Sequence, residues 1–231
     1  MSTKLAVVYH SGYGHTAKLA EEVAAGARDH AEVALLAADD ASQRLDELAA
    51  FDAIIFGAPT YMGSVSAGFK AFMDASSKVW YTQGWKDKIA AGFTVSNSPS
   101  GDKLNTLQQL SVFAAQHSMI WVGTGLLPGG VTGTQINRYG SSLGLMARTD
   151  NAPAEVTPDA ADLESARLFG ARSAERSIDL VPVGRGPGRG GERGENAGQK
   201  GFHHPISPII SAGTDRLRAT RRSPRAARAP R

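Results

Sequence analysis

The chain contains no cysteine in its 231 residues, which excludes disulfides, thiolate metal sites and cysteine nucleophiles. It lacks any apolar run of the about 18 residues that a membrane helix requires. The strand-like stretch at residues 5–9 is far too short for the apolar region of a secretory signal. The expected location is therefore the cytoplasm, with no membrane span, and any redox chemistry requires a bound cofactor. Aromatic residues make up only 7% of the chain, yet the total apolar content of 42% is ample for one hydrophobic core.

Charge is unevenly distributed. Residues 1–180 hold 14 Lys and Arg against 19 Asp and Glu, a net of −5, whereas residues 181–231 hold 11 against 3, a net of +8. The second segment carries GRGPGRGGERGEN at 184–196 and RATRRSPRAARAPR at 218–231. It is too poor in apolar side chains to offset the entropy of ordering, so the expected organisation is a folded domain at 1–180 and a disordered basic Arg/Gly/Pro-rich tail at 181–231. Arg216, Arg218, Arg221, Arg222, Arg225, Arg228 and Arg231 have the charge to neutralise nucleic-acid phosphates. Aromatic interleaving is missing apart from Phe202, which leaves base stacking unsupported, and a solvated appendage is the simpler reading. His203 and His204 have no carboxylate at ligand spacing, so no metal site is expected.

Within residues 1–180, short buried-strand signals alternate with amphipathic helix signals, the pattern of a parallel sheet covered on both faces. Strands are expected at 4–9, 32–37, 53–57, 89–95 and 119–122. Helices are expected at 16–28, 42–50, after residue 65, at 103–117, and at the end. Ala17, Ala20, Ala24 and Ala27 give the first helix a small-residue underside, Phe69, Phe72 and Met73 share one face of the third, and Leu104, Leu107, Leu110 and Ala114 line the fourth. A Gly-rich stretch at 123–151 interrupts the pattern. The last helix is expected to start where Thr157 can cap and Pro158 can take the first position, and to end near residue 177.

Three loops follow strands one, three and four, at the carboxyl edge where open parallel sheets bind ligands. The first, YHSGYGHT at 9–16, places hydroxyls at Ser11 and Thr16 and glycines at 12 and 14 directly before a helix. Hydroxyls, free amides and the positive helix end converge there on one anion. The loop has no lysine and no GxGxxG, which favours a single terminal phosphate over a nucleoside triphosphate or a dinucleotide; an ordinary glycine turn before a helix is the competing reading. The second, APTYMGSVS at 58–66, offers backbone groups and the side chains of Tyr61 and Met62 to a flat ring, or else is a loop capped by Ser64 or Ser66. The third, SNSPSGDK at 96–103, is by itself a polar connection.

Together these segments resemble the flavodoxin-like superfamily, and within it the WrbA-type NAD(P)H:quinone oxidoreductases and related NADPH-dependent FMN reductases. YHSGYGHT is similar to the family's phosphate loop, DAIIFGAPTYMGSVSAGFKAFMD at 52–74 to its third strand, flavin loop and next helix, and QHSM at 116–119 to its His-His-Gly-Met. The resemblance implies a doubly wound five-stranded α/β sheet of order 2-1-3-4-5. It implies that Ser11, Tyr13, Gly14, His15 and Thr16 hold the phosphate of FMN. Pro59, Thr60, Tyr61, Met62 and Gly63 would line its ring, with Ser96, Asn97, Ser98, Ser100 and Gly101 flanking the pyrimidine side. Trp80 matches a tryptophan that lies by the flavin, often across a subunit boundary, with helix-end packing as the alternative. His117 matches a histidine near it, with a dipole-stabilised helix end as the alternative.

The implied activity is two-electron transfer from NAD(P)H through FMN to a quinone-like acceptor, with His117 or Tyr61 as proton donor. A flavodoxin-type electron carrier and an FMN reductase are the alternatives. Tyr61 stands where the family has an arginine, SNSPSGDK replaces a Gly-rich loop, and the connection after strand two is short. Homodimer and homotetramer are therefore both compatible with the resemblance.

Overall fold

The apolar stretches at 4–9, 53–61 and 89–96 form the centre of the sheet, because residues buried on both faces need no polar alternation. The computed structural model describes residues 2–180; the basic segment 181–231 and the expectation of disorder there lie outside the described residues. The first half runs β1 (Lys4–Tyr9), α1 (His15–Arg28), β2 (Glu32–Ala37), α2 (Ala38–Gln43), a 3-10 turn (Glu47–Ala50), β3 (Ala53–Tyr61) and β4 (Ser64–Val65). It continues with α3 (Ala67–Ala75), α4 (Ser77–Tyr81), β5 (Ile89–Ser96), α5 (Lys103–Gln116), β6 (Ile120–Trp121), α6 (Gly129–Thr132), β7 (Leu145–Arg148) and α7 (Ala160–Leu180). The order is β2-β1-β3-β5-β6, with β7 also on β5 and β4 folded back on β3. Only the β3–β4 pair is antiparallel. Taking β6 and β7 as halves of one strand, this is the expected 2-1-3-4-5 arrangement.

Alternate residues of each strand feed opposite cores. Leu5, Val7, Ile55, Ala91 and Phe93 pack with α1 and α7, while Ala6, Val8, Ile54, Phe56 and Ala90 pack with Phe69, Phe72, Leu110 and Phe113. On the first face α1 and α7 cross at two glycines. A Cβ on Gly26 would lie 1.9 Å from the Arg167 carbonyl oxygen, and one on Gly170 would lie 1.9 Å from that of Val23. No helix among the described residues is long and apolar enough to cross a membrane.

Four details differ from expectation. The fifth strand is split: β6 pairs only with Ile89 and Ala90, and β7 pairs with residues 93–96. The Gly-rich stretch is therefore an insertion within that strand, closed at its base by Trp121 Nε1 donating to the Leu143 carbonyl at 2.8 Å. The expected helix at 42–50 is instead α2 and the 3-10 turn, and Ser42 Oγ donates back to the Ala38 carbonyl at 2.7 Å, a bond that competes with helix propagation. Leu104 is exposed, because Lys103 takes the inward position at the start of α5. At α7 the cap is Asp159, whose Oδ1 accepts the Asp162 amide at 3.0 Å; the Thr157 hydroxyl donates to the Thr149 carbonyl at 2.8 Å instead.

The glycine crossing predicts that Gly170→Ala destabilises the protein by about 2–3 kcal/mol, since its methyl group would meet backbone rather than a movable side chain. Urea denaturation of the variant against the parent measures this.

Candidate functional site

The carboxyl ends of β1, β3, β5 and β7 surround a cavity of about 680 Å³. Ser11, Tyr13, His15 and Thr16 line it from the first loop, Pro59, Thr60 and Tyr61 from the end of β3, and Ser96 and Asn97 from the end of β5. A fourth wall comes from Thr149 and residues 151–155. This wall was not among the expected site residues. Its available signal was the strand-like LGLMAR followed by the turn-forming TDN, hidden by the break in the fifth strand.

In the first loop Gly14 adopts φ 89° as the residue before α1, a conformation that glycine accepts without a Cβ penalty. Ser11 Oγ accepts the Gly14 amide at 3.1 Å, and Thr16 is buried against the cavity. The first turn of α1 adds amides without intrahelical partners. Gly14 itself is covered: a Cβ there would lie 2.9 Å from the Ala154 methyl group. The fourth wall is tied down by His15 Nε2, which donates to the Ala152 carbonyl at 2.8 Å, and by Lys18 Nζ, which donates to the Glu155 carbonyl at 3.3 Å.

The second loop is a hairpin. β3 continues through Pro59 to Tyr61, turns at Met62 and Gly63, and returns as β4. Positive φ at both turn residues, 49° and 77°, is the geometry of a tight primed turn. Met62 and Gly63 consequently stand at the hairpin tip rather than on the cavity wall, and Met62 is fully exposed. The Thr60 hydroxyl bonds with those of Thr94 and Thr106, each at 2.8 Å, so Thr60 is tied into the core by its side chain. Tyr61 leans over the first loop. It packs edge-on to Tyr13 at 6.2 Å, its oxygen accepts the Gly12 amide, and burial raises its pKa above the usual tyrosine value. Two residues of α5, absent from the expected set, hold the hairpin: Asn105 Nδ2 donates to the Gly63 carbonyl at 2.6 Å, and Gln109 Oε1 accepts the Ser64 hydroxyl at 2.9 Å.

In the third loop Ser98, Ser100 and Gly101 lie off the cavity wall. The chain there is wrapped around Lys103, which is fully buried. Its Nζ donates to Ser96 Oγ at 3.0 Å and to the carbonyls of Ser98 and Pro99 at 2.9 Å each. Trp80 is half-exposed on α4 and takes no part in the cavity wall. His117 is equally remote. It follows the last turn of α5, and 14 residues of helix carry the chain about 21 Å back from the cavity edge. It is buried, with Nε2 2.9 Å from Ser76 Oγ and its ring centroid 4.4 Å from that of Trp85, the planes tilted by 33°. Burial pushes its pKa down to about 4, so at neutral pH it is an uncharged packing residue rather than a cation on the helix dipole. The described residues contain no cluster of groups able to hold a metal ion.

Comparison with known proteins matches residues 31–130 to the NADPH-dependent FMN reductase family model. A protein from Pseudomonas aeruginosa named Flavodoxin FldP is 41% identical, over 74% of this chain and 95% of its own length. A protein from Archaeoglobus fulgidus named NAD(P)H dehydrogenase (quinone) is 32% identical, over 74% of this chain and 96% of its own. Among solved structures, a flavodoxin, WrbA-like protein from Agrobacterium tumefaciens superposes with a TM-score of 0.63 at 42% identity, covering 78% of this chain and all of that one.

The placement of His117 predicts an acid-sensitive stability. Its folded pKa of about 4 lies below the ordinary value of 6.5, so between these pH values the unfolded chain binds more protons. The contribution is complete above pH 6.5 and is lost as pH falls towards 4. His117→Gln should remove this loss, narrowing the stability gap to the parent by about 2 kcal/mol between pH 7.5 and pH 4.5, as read from urea midpoints at the two values.

Proposed function

This chain belongs to the flavodoxin-like family of WrbA-type flavoproteins, and on that premise we propose that it is an FMN-dependent oxidoreductase passing two electrons from NAD(P)H to a quinone or similar flat acceptor. The observation that carries the reading is the meeting of Ser11, Thr16 and the first turn of α1 at one end of the cavity. That set of hydroxyls and amides suits one phosphate monoester. The cavity volume falls in the range of about 300–1,000 Å³ typical of cofactor sites. Tyr61, Ser96 and Asn97, also on the wall, offer an aromatic face and polar edge groups for a flat heterocycle.

FMN, when bound, supplies the hydride chemistry that no side chain of this protein can perform. The chain's own contribution is orientation and proton supply. Ser11 and Thr16 anchor the phosphate, and Asn105 and Gln109 fix the hairpin that carries Tyr61. Burial raises the Tyr61 pKa against the Gly12 backbone hydrogen bond that lowers it, so the phenol keeps its proton at neutral pH and can present it in a hydrogen bond to an acceptor oxygen. Its place on the cavity wall favours Tyr61 over the remote His117 for that role.

The reading takes the protein as cytoplasmic and as a homodimer or homotetramer; the exposed aromatic pair Trp80 and Tyr81 supports a surface covered by another copy. A one-electron carrier is the second reading, favoured by the relative named as a flavodoxin. Sustained NAD(P)H oxidation with a soluble quinone supports the enzyme, and its absence with FMN bound supports the carrier.

Purified protein should show flavin absorbance or acquire it with FMN. Thr16→Val should weaken FMN about 10–100-fold while leaving riboflavin, which lacks the phosphate, unchanged. Fluorescence titration with both ligands measures the difference.

A further inference from the structure

Lys103 is a buried cation that the proposed reaction has not yet used. No exposed surface of the residue remains, and its three polar contacts are all uncharged: the Ser96 hydroxyl and the carbonyls of Ser98 and Pro99. The ring of Tyr139 lies 5.0 Å from Nζ, a cation–π contact. The carboxylate with the strongest influence on it is Asp162, but that group is engaged elsewhere. Asp162 Oδ2 accepts from Arg138 Nη2 at 3.0 Å and from the Arg148 amide at 3.0 Å. A positive charge is thus held in a low-dielectric position without a carboxylate of its own.

Its location gives that charge a direction. Ser96 and Asn97 form part of the cavity wall, and Nζ is one hydrogen bond behind Ser96. Arg148, which also reaches this loop, donates from Nε to the Asn97 carbonyl at 3.2 Å but is partly exposed and paired with Asp150. A charge screened by bulk water loses most of its reach, whereas a buried one acts across several ångströms.

We propose that Lys103 is a positioning residue that shapes the third loop and biases the cavity electrostatically towards the ligand form carrying more negative charge. Resting on the FMN reading above, this makes Lys103 a determinant of how strongly the bound cofactor attracts electrons. Reduced cofactor is the more negative form, and a cation behind the wall stabilises it relative to the oxidised form. The same lysine orders residues 96–101, so its removal also weakens FMN binding generally; only the difference between the two redox forms reports the charge.

The wild-type chain carries a second signature. Burial lowers the Lys103 pKa to about 8, opposed by Asp162 and reinforced by Arg148 and Arg138. Of the other facing groups, Tyr139 is pushed up to about 12 and stays neutral through this range. Above pH 8 the oxidised protein has a neutral lysine, which added negative charge on the ligand re-protonates. Reduction then takes up one further proton.

The test uses the full-length chain loaded with FMN, with Lys103→Met and the charge-retaining Lys103→Arg alongside. In Lys103→Met the affinity ratio of reduced to oxidised FMN should fall about tenfold, which is about 30 mV in a two-electron midpoint potential, and Lys103→Arg should restore most of it. In the wild type, the potential should fall more steeply with pH above 8 than below, by up to about 30 mV per unit; this arm stands even where a variant fails to fold. A Lys103→Met protein that binds FMN at the wild-type potential overturns the proposal, as does an unchanged wild-type slope between pH 7 and 10. A wild-type chain that takes up no FMN takes down the functional reading and this proposal together.

Discussion

Burial of the sheet on both faces is the constraint on which the site depends. The strands buried on both faces here are joined by helical crossovers and run parallel to their neighbours, each crossover returning the chain to the same edge. All turns after β1, β3, β5 and β7 then leave from one edge, and this alone brings Ser11, Tyr61, Ser96 and residues 151–155 around one cavity. The cover must also fit. On one face two helices approach so closely that Gly26 and Gly170 leave no room for a methyl group. On the other, Phe56, Phe72, Trp85 and Phe113 form a continuous aromatic cluster. These packed layers fix the strand ends from which the first loop leaves, and the loop adds the Ser11–Gly14 and His15–Ala152 hydrogen bonds of its own.

The site's electrostatics follow from what is placed at that edge. No lysine or arginine lies in the first loop, so its attraction for a phosphate comes from dipoles and hydroxyls. These are neutral in sum and do not repel the uncharged remainder of a ligand. The formal charge is kept a layer back, in Lys103. Separating the two functions lets the anchor grip a fixed anion while the buried cation responds to charge that changes during a reaction.

The fold was largely legible from the sequence, because five strand signals and the helices between them have strong periodicity. The misplaced pieces depend on particular side-chain contacts that hydrophobic periodicity does not show. The β6–β7 split rests on Trp121 meeting Leu143, and the exposure of Leu104 rests on Lys103 reaching back to Ser98 and Pro99. The site was legible in part. Nine of the expected residues line the cavity: Ser11, Tyr13, His15, Thr16, Pro59, Thr60, Tyr61, Ser96 and Asn97. Met62 and Gly63 stand off the wall because the Met-Gly pair, which reads as a loop, is the turn between β3 and β4. The fourth wall could not be seen while its strand was unrecognised.

Trp80 and His117 stand apart from the other residues carried over by position. Both fall in segments that resemble the family, and both lie away from this chain's own cavity. For His117 the chemistry agrees with the geometry. A group that acts as an acid near neutral pH needs a pKa close to that pH, and burial beside Trp85 and Phe113 drives the imidazole in the other direction. Tyr61 differs in place rather than in acidity: it is at the cavity, keeps its proton because burial raises its pKa, and is held from behind by a hairpin clamped to α5. On the reading proposed above, proton supply falls to the hairpin residue in which the chain departs from the family pattern, and the electron affinity of the site to a lysine that its loop conceals.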